Sequence, residues 1–466
     1  MPGIVTRHFR IHNAEQFQEA FGESAATNMY LYIARVSAWD DDNDPPTPSD
    51  SVQEIDYNSW KKMLAAKKVQ TSDVTFAVPR YDWTSGKIYR EYDNTSATLH
   101  ATPASANGLY VISSSYNVYK CLFNNKAATS TVEPTGTSTS TLVTADGYHW
   151  KYMYTVDAAN ALKFLSTNWQ PIKTLAADDG SGQWDVQAAA ANGAINIIDV
   201  NAVGDNYLTN TGTLAAVANS TTMTLAAGAS GSDDIYTGSS LYIASGLGSG
   251  QVSNITNYVG STKVLTLGSA LSITPNTSST YSVGPTVTIT GDGTGTTAYA
   301  NVVSGGANGN TVNYINMVSV GAGYSEATVA ITANTSHGSG ATATAYVAPP
   351  GGHGSDPVQE LAGHNVIVNV QLDGDESGTF MTTNDFRTIG LIRDPLLANG
   401  SIATGTSFDQ TTQITVSSVT SSGAYTLDET ITGGTSGGDD RINGYFVDTN
   451  NWYHIVVRVD TSQSDA

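Results

Sequence analysis

The stretch from Asp146 to Val156, D-G-Y-H-W-K-Y-M-Y-T-V, limits the possible folds of this chain more than any other. Asp146-Gly147 is a turn signal, because both residues tolerate the positive φ that a tight reversal needs. The residues after it alternate with a period of two, which is the side-chain period of an extended strand. We therefore predict a strand with one wholly apolar or aromatic face, formed by Tyr148, Trp150, Tyr152, Tyr154 and Val156.

Residues 109–123 are the natural partner of this strand. They contain a buried-looking run, L-Y-V-I, and then Y-N-V-Y-K-C-L-F, in which Tyr119, Cys121 and Phe123 alternate with Val118, Lys120 and Leu122. We interpret the pair as the centre of an antiparallel sheet. The expected fold is mainly β with a few short helices: an antiparallel sheet or sandwich core domain, plus inserted small β modules.

Composition narrows the class of protein. Lys plus Arg number 20 and Asp plus Glu 41, so the net charge of −21 argues against nucleic-acid binding. Only 13% of the residues are charged, while there are 45 Gly and 24 Tyr, a profile typical of β-rich extracellular or virion proteins. The single Cys121 excludes an internal disulfide. No signal peptide and no long apolar run is evident, so we expect synthesis in a host cytoplasm without a membrane span.

The first region predicts a few further elements. Residues 1–13 alternate weakly and indicate a strand or arm, and a short helix is expected from Ala14 to Phe21. A second helix is expected after Asp50 or Ser51. The acidic run 40–44 favours a solvated loop over a calcium site, because it lacks the ligand spacing of one. Strands are predicted at 29–36, 74–78 and 365–372.

Residues from about 185 onward are repetitive and poor in aromatics. I-N-I-I-D-V followed by G-D-N-Y at 195–207 recurs as I-N-M-V-S-V and G-A-G-Y at 315–324. Thr286–Thr290 recurs as Thr328–Thr332, each before a Gly-x-Gly turn. Short strands with glycine turns predict small β units, and a different module, about 217–284, lies between the copies.

These changes in composition predict four segments. Residues 1–184 would form the first part of the core β domain, and 185–360 the inserted β repeat modules. Residues 361–400 would return to the core domain, and 401–466 would form a C-terminal β segment. The run P-P-G-G-H-G at 349–354 indicates a linker at the exit of the insertion, so residues near 180 and near 365 are expected to lie close together.

No motif predicts a catalytic, metal or cofactor site. His8 and His12 have the spacing of one helical face, but the segment looks extended and no further ligand is nearby. Gly291–Gly295 has the glycines of a phosphate-binding loop but no following Lys, so a β-turn is favoured. His149 lies beside no obvious acid. We therefore expect no catalytic residue, no metal and no cofactor.

The candidate functional residues are those of a protein interface. The string Pro79-Arg80-Tyr81-Asp82-Trp83 suits either a folded corner or a protein contact, and the sequence leaves both open. Aromatic residues in loops are less often core than those in strands, and Trp, Tyr and Arg are enriched in interface hot spots. The interface is therefore expected mainly within residues 35–95, at Trp39, Trp60, Arg80, Tyr81, Trp83 and Tyr89.

Together these landmarks resemble the baseplate wedge proteins of T-even-type contractile-tailed phages, the gene product 8 family. The resemblance covers about 1–180 and 360–400. It is carried by D-S-V at 50–52 with Trp60, V-P-R-Y-D-W at 78–83, Y-N-V-Y-K-C-L at 116–122, D-G-Y-H-W-K-Y at 146–152 and F-R-T-I-G-L-I-R-D-P-L at 386–396.

The resemblance implies a non-enzymatic structural subunit of the virion. Such a subunit pairs with a second copy of itself and joins other wedge proteins in a six-fold baseplate, without nucleic acid or membrane. Two alternatives stay open: a host-surface glycan-binding tail protein and a tailspike-like depolymerase. The repeat tyrosines recur at one motif position, which favours core packing over a sugar-binding platform.

Overall fold

The structure, a computed structural model, describes residues 6–22, 28–47, 51, 61–100, 108–304, 309–334, 337–372, 385–397 and 399–403, and the backbone of three short strands after them. The fold is mainly β and contains several antiparallel sheets, which confirms the predicted fold class. The chain divides into two compact units. The large unit comprises Met1–Ile11 and Phe76–Asn365, and the small unit comprises His12–Thr75 and Val366–Ala466.

Four α-helices lie in the described residues: α1 (Arg7–Glu19), α2 (Ala158–Phe164), α3 (Gly182–Ala188) and α4 (Pro357–Glu360). The prediction of a strand or arm over 1–13 is wrong, because α1 begins at Arg7. Ile11, Ala14 and Phe17 have the three-residue spacing of one helical face, which outweighs the weak alternation seen in the sequence. The expected second helix falls at 52–60, outside the described residues.

The strands are short, and most pair antiparallel. In chain order they are β1 (Met29–Ala34), β2 (Met63–Lys68), β3 (Val74–Pro79), β4 (Tyr110–Ile112), β5 (Asn117–Phe123), β6 (Leu142–Val143), β7 (His149–Thr155), β8 (Trp169–Ile172), β9 (Ile195–Asp205), β10 (Asn210–Thr213), β11 (Ala216–Val217), β12 (Thr222–Thr224), β13 (Ser239–Ser245), β14 (Val252–Val259), β15 (Val264–Leu267), β16 (Thr280–Gly291), β17 (Thr294–Val303), β18 (Thr311–Ala322), β19 (Ala327–Thr332), β20 (Ser339–Val347), β21 (Asn365–Val368), β22 (Thr388–Arg393), β23 (Thr430–Ile431), β24 (Ile442–Gly444) and β25 (Ile455–Val457).

The central sheet of the large unit has the order β4-β5-β7-β6, which confirms the predicted pairing of residues 109–123 with the aromatic strand. One face carries what we call the aromatic core: Tyr89, Val111, Tyr119, Cys121, Tyr148, Trp150, Tyr152 and Val186. Neighbouring rings pack edge-on or stacked, as Tyr148 and Trp150 do at 5.4 Å between centroids. The sheet is therefore anchored by aromatic packing on this face.

A β-bulge divides the predicted aromatic face of β7. Val118 pairs with Tyr154, whereas Tyr119 pairs with Tyr152, so one residue of β7 is left over between them. An extra residue reverses the side-chain alternation beyond it. Tyr154 and Val156 therefore lie on the opposite face of the sheet. There they belong to a larger cluster of buried residues, which also contains Val118, Leu122 and Met153 and which we call the main core. The prediction of one face is confirmed from Tyr148 to Tyr152 and is wrong for Tyr154 and Val156.

The two sequence repeats complete each other. We call residues 195–207 with 286–303 the first copy, and 311–347 the second. The first strand of each copy pairs with the last strand of the other, β9 with β20 and β18 with β17. The middle strands pair with one another, from Thr286 with Thr332 to Thr290 with Thr328. This exchange gives the repeats a pseudo-two-fold arrangement around one shared core of Ile, Val, Ala and Tyr side chains.

The repeat tyrosines lie in this shared core, as their common motif position predicts. Tyr207 and Tyr324 are both buried. A Cβ on Gly338 would lie 2.4 Å from the Tyr207 ring, and one on Gly293 would lie 2.4 Å from the Tyr324 ring. Each ring therefore packs on a glycine of the Gly-x-Gly turn in the other copy, where no larger residue fits.

The module between the repeats has a core of its own. It forms most of an antiparallel sheet of order β10-β16-β13-β14-β15-β12-β11, with β19 also pairing with β16. Its buried residues include Leu241, Ile255, Tyr258 and Leu265, which face inward at alternate strand positions. The long strand β16 belongs to both this sheet and the repeat core, so it connects the module to the repeats.

The small unit is built on a three-stranded antiparallel sheet of order β2-β1-β22. Its core contains Phe21, Met29, Val69 and Val74, with Val366 and Val368 packed against them. The β1–β22 pairing runs from Met29 with Arg393 to Ala34 with Thr388, which places residues after the insertion against residues before it.

Candidate functional site

The predicted interface residues fall in different environments. Trp60 lies outside the described residues. Trp39, in the small unit, is half-buried, and the Arg35 guanidinium carbon lies 3.5 Å from its ring centroid. The neighbouring acidic loop is exposed, but the carboxylate of Asp42 accepts hydrogen bonds from Nε and Nη2 of Arg387, which lower the pKa of this carboxyl. Trp39 is therefore fixed at the surface of the small unit by an ordered loop.

Arg80 and Tyr81 form an ordered corner of the large unit after β3. The Arg80 guanidinium donates to Asp82 Oδ1 at 2.8 Å and to the Ser166 carbonyl at 3.1 Å. The Tyr81 ring packs edge-on against Tyr110, with centroids 5.4 Å apart. Both side chains are half-buried, so these residues form a folded corner in which part of each side chain is exposed.

Trp83 and Tyr89 both pack toward the interior, but Trp83 is half-buried whereas Tyr89 is buried. Trp83 packs against the aromatic core, and its Nε1 donates to Ser130 Oγ at 3.1 Å. Tyr89 is only 1% exposed, and its hydroxyl donates to the Thr84 carbonyl. A side chain this buried cannot contact a partner, so Tyr89 leaves the candidate interface. Tyr89 was expected at the surface because it lies in a loop. This loop folds back over the sheet, so its side chain packs in the aromatic core.

The most unusual chemistry of the described chain is a buried ion cluster on the other face of the central sheet. Lys120 Nζ, on β5, lies 2.8 Å from Glu360 Oε2 and 3.1 Å from His353 Nδ1. The side chains of Lys120, Glu360 and His353 are 1%, 2% and 3% exposed. We call these three residues the ion cluster.

Further contacts fix each member of the ion cluster. Glu360 Oε1 accepts the backbone N–H of Gly354 at 2.6 Å, so both carboxylate oxygens are used. The Tyr92 ring lies over Lys120, with Nζ 4.4 Å from its centroid, and packs edge-on against His353. The Tyr92 hydroxyl donates to the Val347 carbonyl at 3.0 Å. The charges are therefore enclosed by partners rather than by water.

Burial and mutual attraction set the protonation of the cluster. Burial lowers the pKa of Lys120, and the Glu360 carboxylate opposes that shift. Burial alone would raise the pKa of Glu360, but the Lys120 ammonium outweighs it, and the pKa is lowered to about 2. Burial lowers the pKa of His353 to about 4, with a further contribution from Lys120. Lys120 and Glu360 therefore form an ion pair, and neutral His353 accepts a hydrogen bond from Lys120.

This arrangement suits a structural fastening and not a reaction centre. A catalytic group has to reach its substrate, and these side chains have almost no access to solvent. Breaking a buried ion pair by removing one partner leaves an uncompensated charge, which is strongly destabilising. The cluster thus holds residues 353–360 against β5 of the central sheet. A second tie nearby is the hydrogen bond from Thr174 Oγ1 to Asp356 Oδ1, at 2.5 Å.

No pattern in the sequence predicted the ion cluster. Lys120 was recognised only as a polar position in an alternating strand, and His353 lay in a glycine- and proline-rich run interpreted as a linker. The two partners Lys120 and Glu360 are 240 residues apart, so no local pattern connects them. The one available signal was Lys120 itself, a charge in the apolar set with Val118 and Leu122.

The residues considered for metal or nucleotide binding take other places. His8 and His12 lie on α1, and no group of three or more His, Cys, Asp or Glu side chains in the described chain could hold a metal ion. Asp292-Gly293 joins β16 to β17 as a turn, and Asp292 accepts from the backbone N–H of Ser325. His149 packs edge-on against Phe123, and burial lowers its pKa to about 4. No helix in the described part of the chain is long and apolar enough to cross a membrane.

Removing either charge of the ion pair should destabilise the protein strongly. Lys120→Met and Glu360→Leu should each lower the free energy of unfolding by about 3–5 kcal/mol, because each leaves the other charge buried alone. The double variant should lose much less than the sum of the two. Urea denaturation of the four proteins measures this coupling. Asp82→Asn, at the exposed Arg80–Asp82 pair, is the control and should change stability by less than about 1 kcal/mol. Additive losses would show that the pair contributes no coupling.

Two deletions should separate the insertion from its fastening. The backbone N–H of Ala348 donates to the Ala194 carbonyl at 2.8 Å, so the chain enters and leaves the repeats at one place. Just inside this point, Ile197 and Tyr346 are cross-strand partners that pack in the main core, and Val347 accepts from Tyr92. Deleting 198–345 and joining Ile197 to Tyr346 by a short Gly/Ser linker should therefore leave a protein that melts cooperatively. Deleting 185–360 removes His353 and Glu360 and should abolish the cooperative melt. Calorimetry of both proteins tests this, and equal behaviour would mean that the cluster is dispensable.

One family model matches the first part of the chain. The search of the curated proteins found no match to the chain. The family model described as Bacteriophage T4, Gp8 matches residues 3–132. This range includes α1, β1 to β5 and the corner at Arg80, and it confirms the resemblance inferred from the sequence over a domain-sized part of the chain. Residues 3–132 are thus similar to the Bacteriophage T4 Gp8 family, the baseplate wedge proteins.

Proposed function

We propose that this protein is a structural subunit of a phage tail baseplate wedge in the virion, assembling by protein–protein contacts. The match of residues 3–132 to the Bacteriophage T4, Gp8 family model carries the proposal. On this proposal the partners are a second copy of the chain and other wedge proteins, and the protein acts without catalysis or a cofactor. The ion cluster agrees with this role, because its charges maintain the fold and are closed to any substrate.

The charge of the chain indicates what kind of contacts such an assembly would use. A net charge of −21 makes copies repel one another at long range, so association depends on local apolar and aromatic contacts. The small unit offers such contacts on β22, an edge strand of its sheet. Ile389 is 64% and Leu391 is 42% exposed there. Exposed apolar side chains on an edge strand are typical of a surface that pairs with another chain.

The corner at Arg80 is the corresponding surface of the large unit. Interface hot spots are enriched in Arg, Trp and Tyr, and a preordered side chain loses less entropy on binding. Arg80 is held in place by Asp82 and Ser166, and Tyr81 by Tyr110. We keep Trp39, Trp60, Arg80, Tyr81 and Trp83 as the proposed contact residues.

The assembly role predicts where the protein is found. Peptides of this chain should appear in the mass spectrum of purified virions, and gold-labelled antibodies should mark the baseplate end of the tail. Light scattering of the purified protein should give twice the chain mass of 48.7 kDa. Virions without these peptides would refute the proposal. A monomer in solution, with the peptides present in virions, would refute only the self-pairing.

The corner residues can be tested separately from folding. Arg80→Ala with Trp83→Phe should weaken self-association by about 2–4 kcal/mol, as loss of interface hot spots does. The Phe side chain keeps most of the packing of Trp83 against the aromatic core. Sedimentation measures association, and a circular-dichroism melt measures folding. Leu162→Ala, at a side chain that is 92% exposed on α2, is the control. A folded double variant that associates normally would place the interface elsewhere.

A further inference from the structure

An open groove of about 450 Å³ lies in the large unit, where the module between the repeats meets the β17–β18 hairpin. Strands β10, β13 and β16 form one side of it, and the hairpin forms the other. The groove is well away in sequence from the residues matched to the Gp8 family, so the proposed assembly role does not account for it.

An ordered aromatic pair forms part of the groove. The rings of Tyr242 and Tyr299 are stacked, with centroids 4.7 Å apart and planes at 16°. Tyr299 is buried, and its hydroxyl is hydrogen-bonded to Ser282 Oγ. Tyr242 is half-buried and lines the groove in front of Tyr299. The buried ring therefore holds the outer ring in a fixed position.

Two asparagines lie beside this pair with unused hydrogen-bonding capacity. Asn316 is the cross-strand partner of Tyr299, and Asn301 lies two residues beyond Tyr299 on β17. Both line the groove. Within the described residues, the side-chain amides of Asn301 and Asn316 and the hydroxyl of Tyr242 have no hydrogen-bond partner. Each amide can donate two hydrogen bonds and accept others, so the groove presents several open donors and acceptors beside an aromatic face.

The groove is also uncharged, although the chain as a whole is strongly acidic. The described residues that line it are Thr, Ser, Asn, Tyr, Gly and Ala. No lining cation is present to attract an anionic ligand, and no lining carboxylate to bind a cation. A ligand that matches it has an apolar face for the tyrosine, hydroxyl groups for the amides and no net charge.

We infer that this groove binds a neutral oligosaccharide, with one pyranose ring packed on Tyr242 and its hydroxyl groups bonded to Asn301 and Asn316. A pyranose has an apolar C–H face and a rim of hydroxyl groups, which is the combination that the groove complements. Binding sites of this kind place a few polar groups around an apolar surface that fixes the orientation of the ligand. The preordered tyrosine pair limits the entropy lost on binding.

Binding is tested with the full-length protein on a panel of neutral oligosaccharides of glucose, galactose, mannose and N-acetylglucosamine. Saturation-transfer NMR and calorimetry should detect at least one of them, and sialylated or sulfated versions of the same sugar should bind more weakly. Asn316→Ala and Tyr242→Ala should each weaken binding at least about tenfold, because each removes a hydrogen-bonding or stacking partner.

Two further variants keep the test decisive. Ala244→Gln places a larger uncharged side chain at the exposed groove wall without removing any core residue, and it should also weaken binding about tenfold or more. Asn313→Ala is the control: Asn313 lies on β18, as Asn316 does, but outside the groove, so this variant should leave binding unchanged. No detectable binding of any neutral sugar, equal binding of acidic sugars, or binding that survives the groove variants would overturn the inference. So would a groove found occupied by a protein neighbour in the assembled tail.

Discussion

The ion pair between Lys120 and Glu360 is the interaction on which the large unit depends. It lies inside the main core, where an unpaired charge would be far more expensive than at the surface. Lys120 belongs to the central sheet, and Glu360 follows the whole insertion in sequence. The buried charge on the sheet is therefore compensated only when residues from beyond the insertion pack against it. This gives the fold a long-range requirement: residues 352–361 contribute buried side chains such as His353, Val358 and Leu361, although the run that leads into them has the composition of a linker. The proposed fastening and the proposed assembly role therefore use different parts of the chain, one enclosed and one exposed.

Local patterns predicted those parts of the fold that local physics decides. The two-residue period identified β5 and β7 and their pairing, and the shared motif position of Tyr207 and Tyr324 indicated core packing. The bulge in β7 was not predictable, because one extra residue leaves no signal in the alternation before it. The repeats were visible in the sequence, but the exchange of strands between copies was not, since pairing each copy with itself would satisfy the same pattern.

In the candidate site, too, the parts that could be predicted are those formed by residues close together in sequence. The corner at Arg80 was identified because its residues are adjacent in sequence, and its order comes from neighbours such as Asp82. The ion cluster joins three positions from separate parts of the chain, so it required the tertiary structure. Tyr89 shows the limit of reasoning from loops: the rule that loop aromatics face outward holds only where the loop does not cover a sheet. Trp39 and Trp83 differ for that reason, although both are tryptophans outside regular strands.

The adjacency of β9 and β20 has a consequence for how such a chain can diversify. Ala194 and Ala348 are hydrogen-bonded neighbours, so everything between them leaves from and returns to one point. The entropic cost of closing a segment between two neighbouring points grows only slowly with its length, by about 0.6 kcal/mol for each doubling. Recombination just inside this point, between Ile197 and Tyr346, could replace the repeats and the groove with unrelated sequence and keep the residues of the ion cluster, the contact of Tyr92 with Val347 and the central sheet. Selection on the repeats would then proceed independently of selection on the surfaces that assemble. We expect the sequences of relatives to differ most between Ala194 and Ala348.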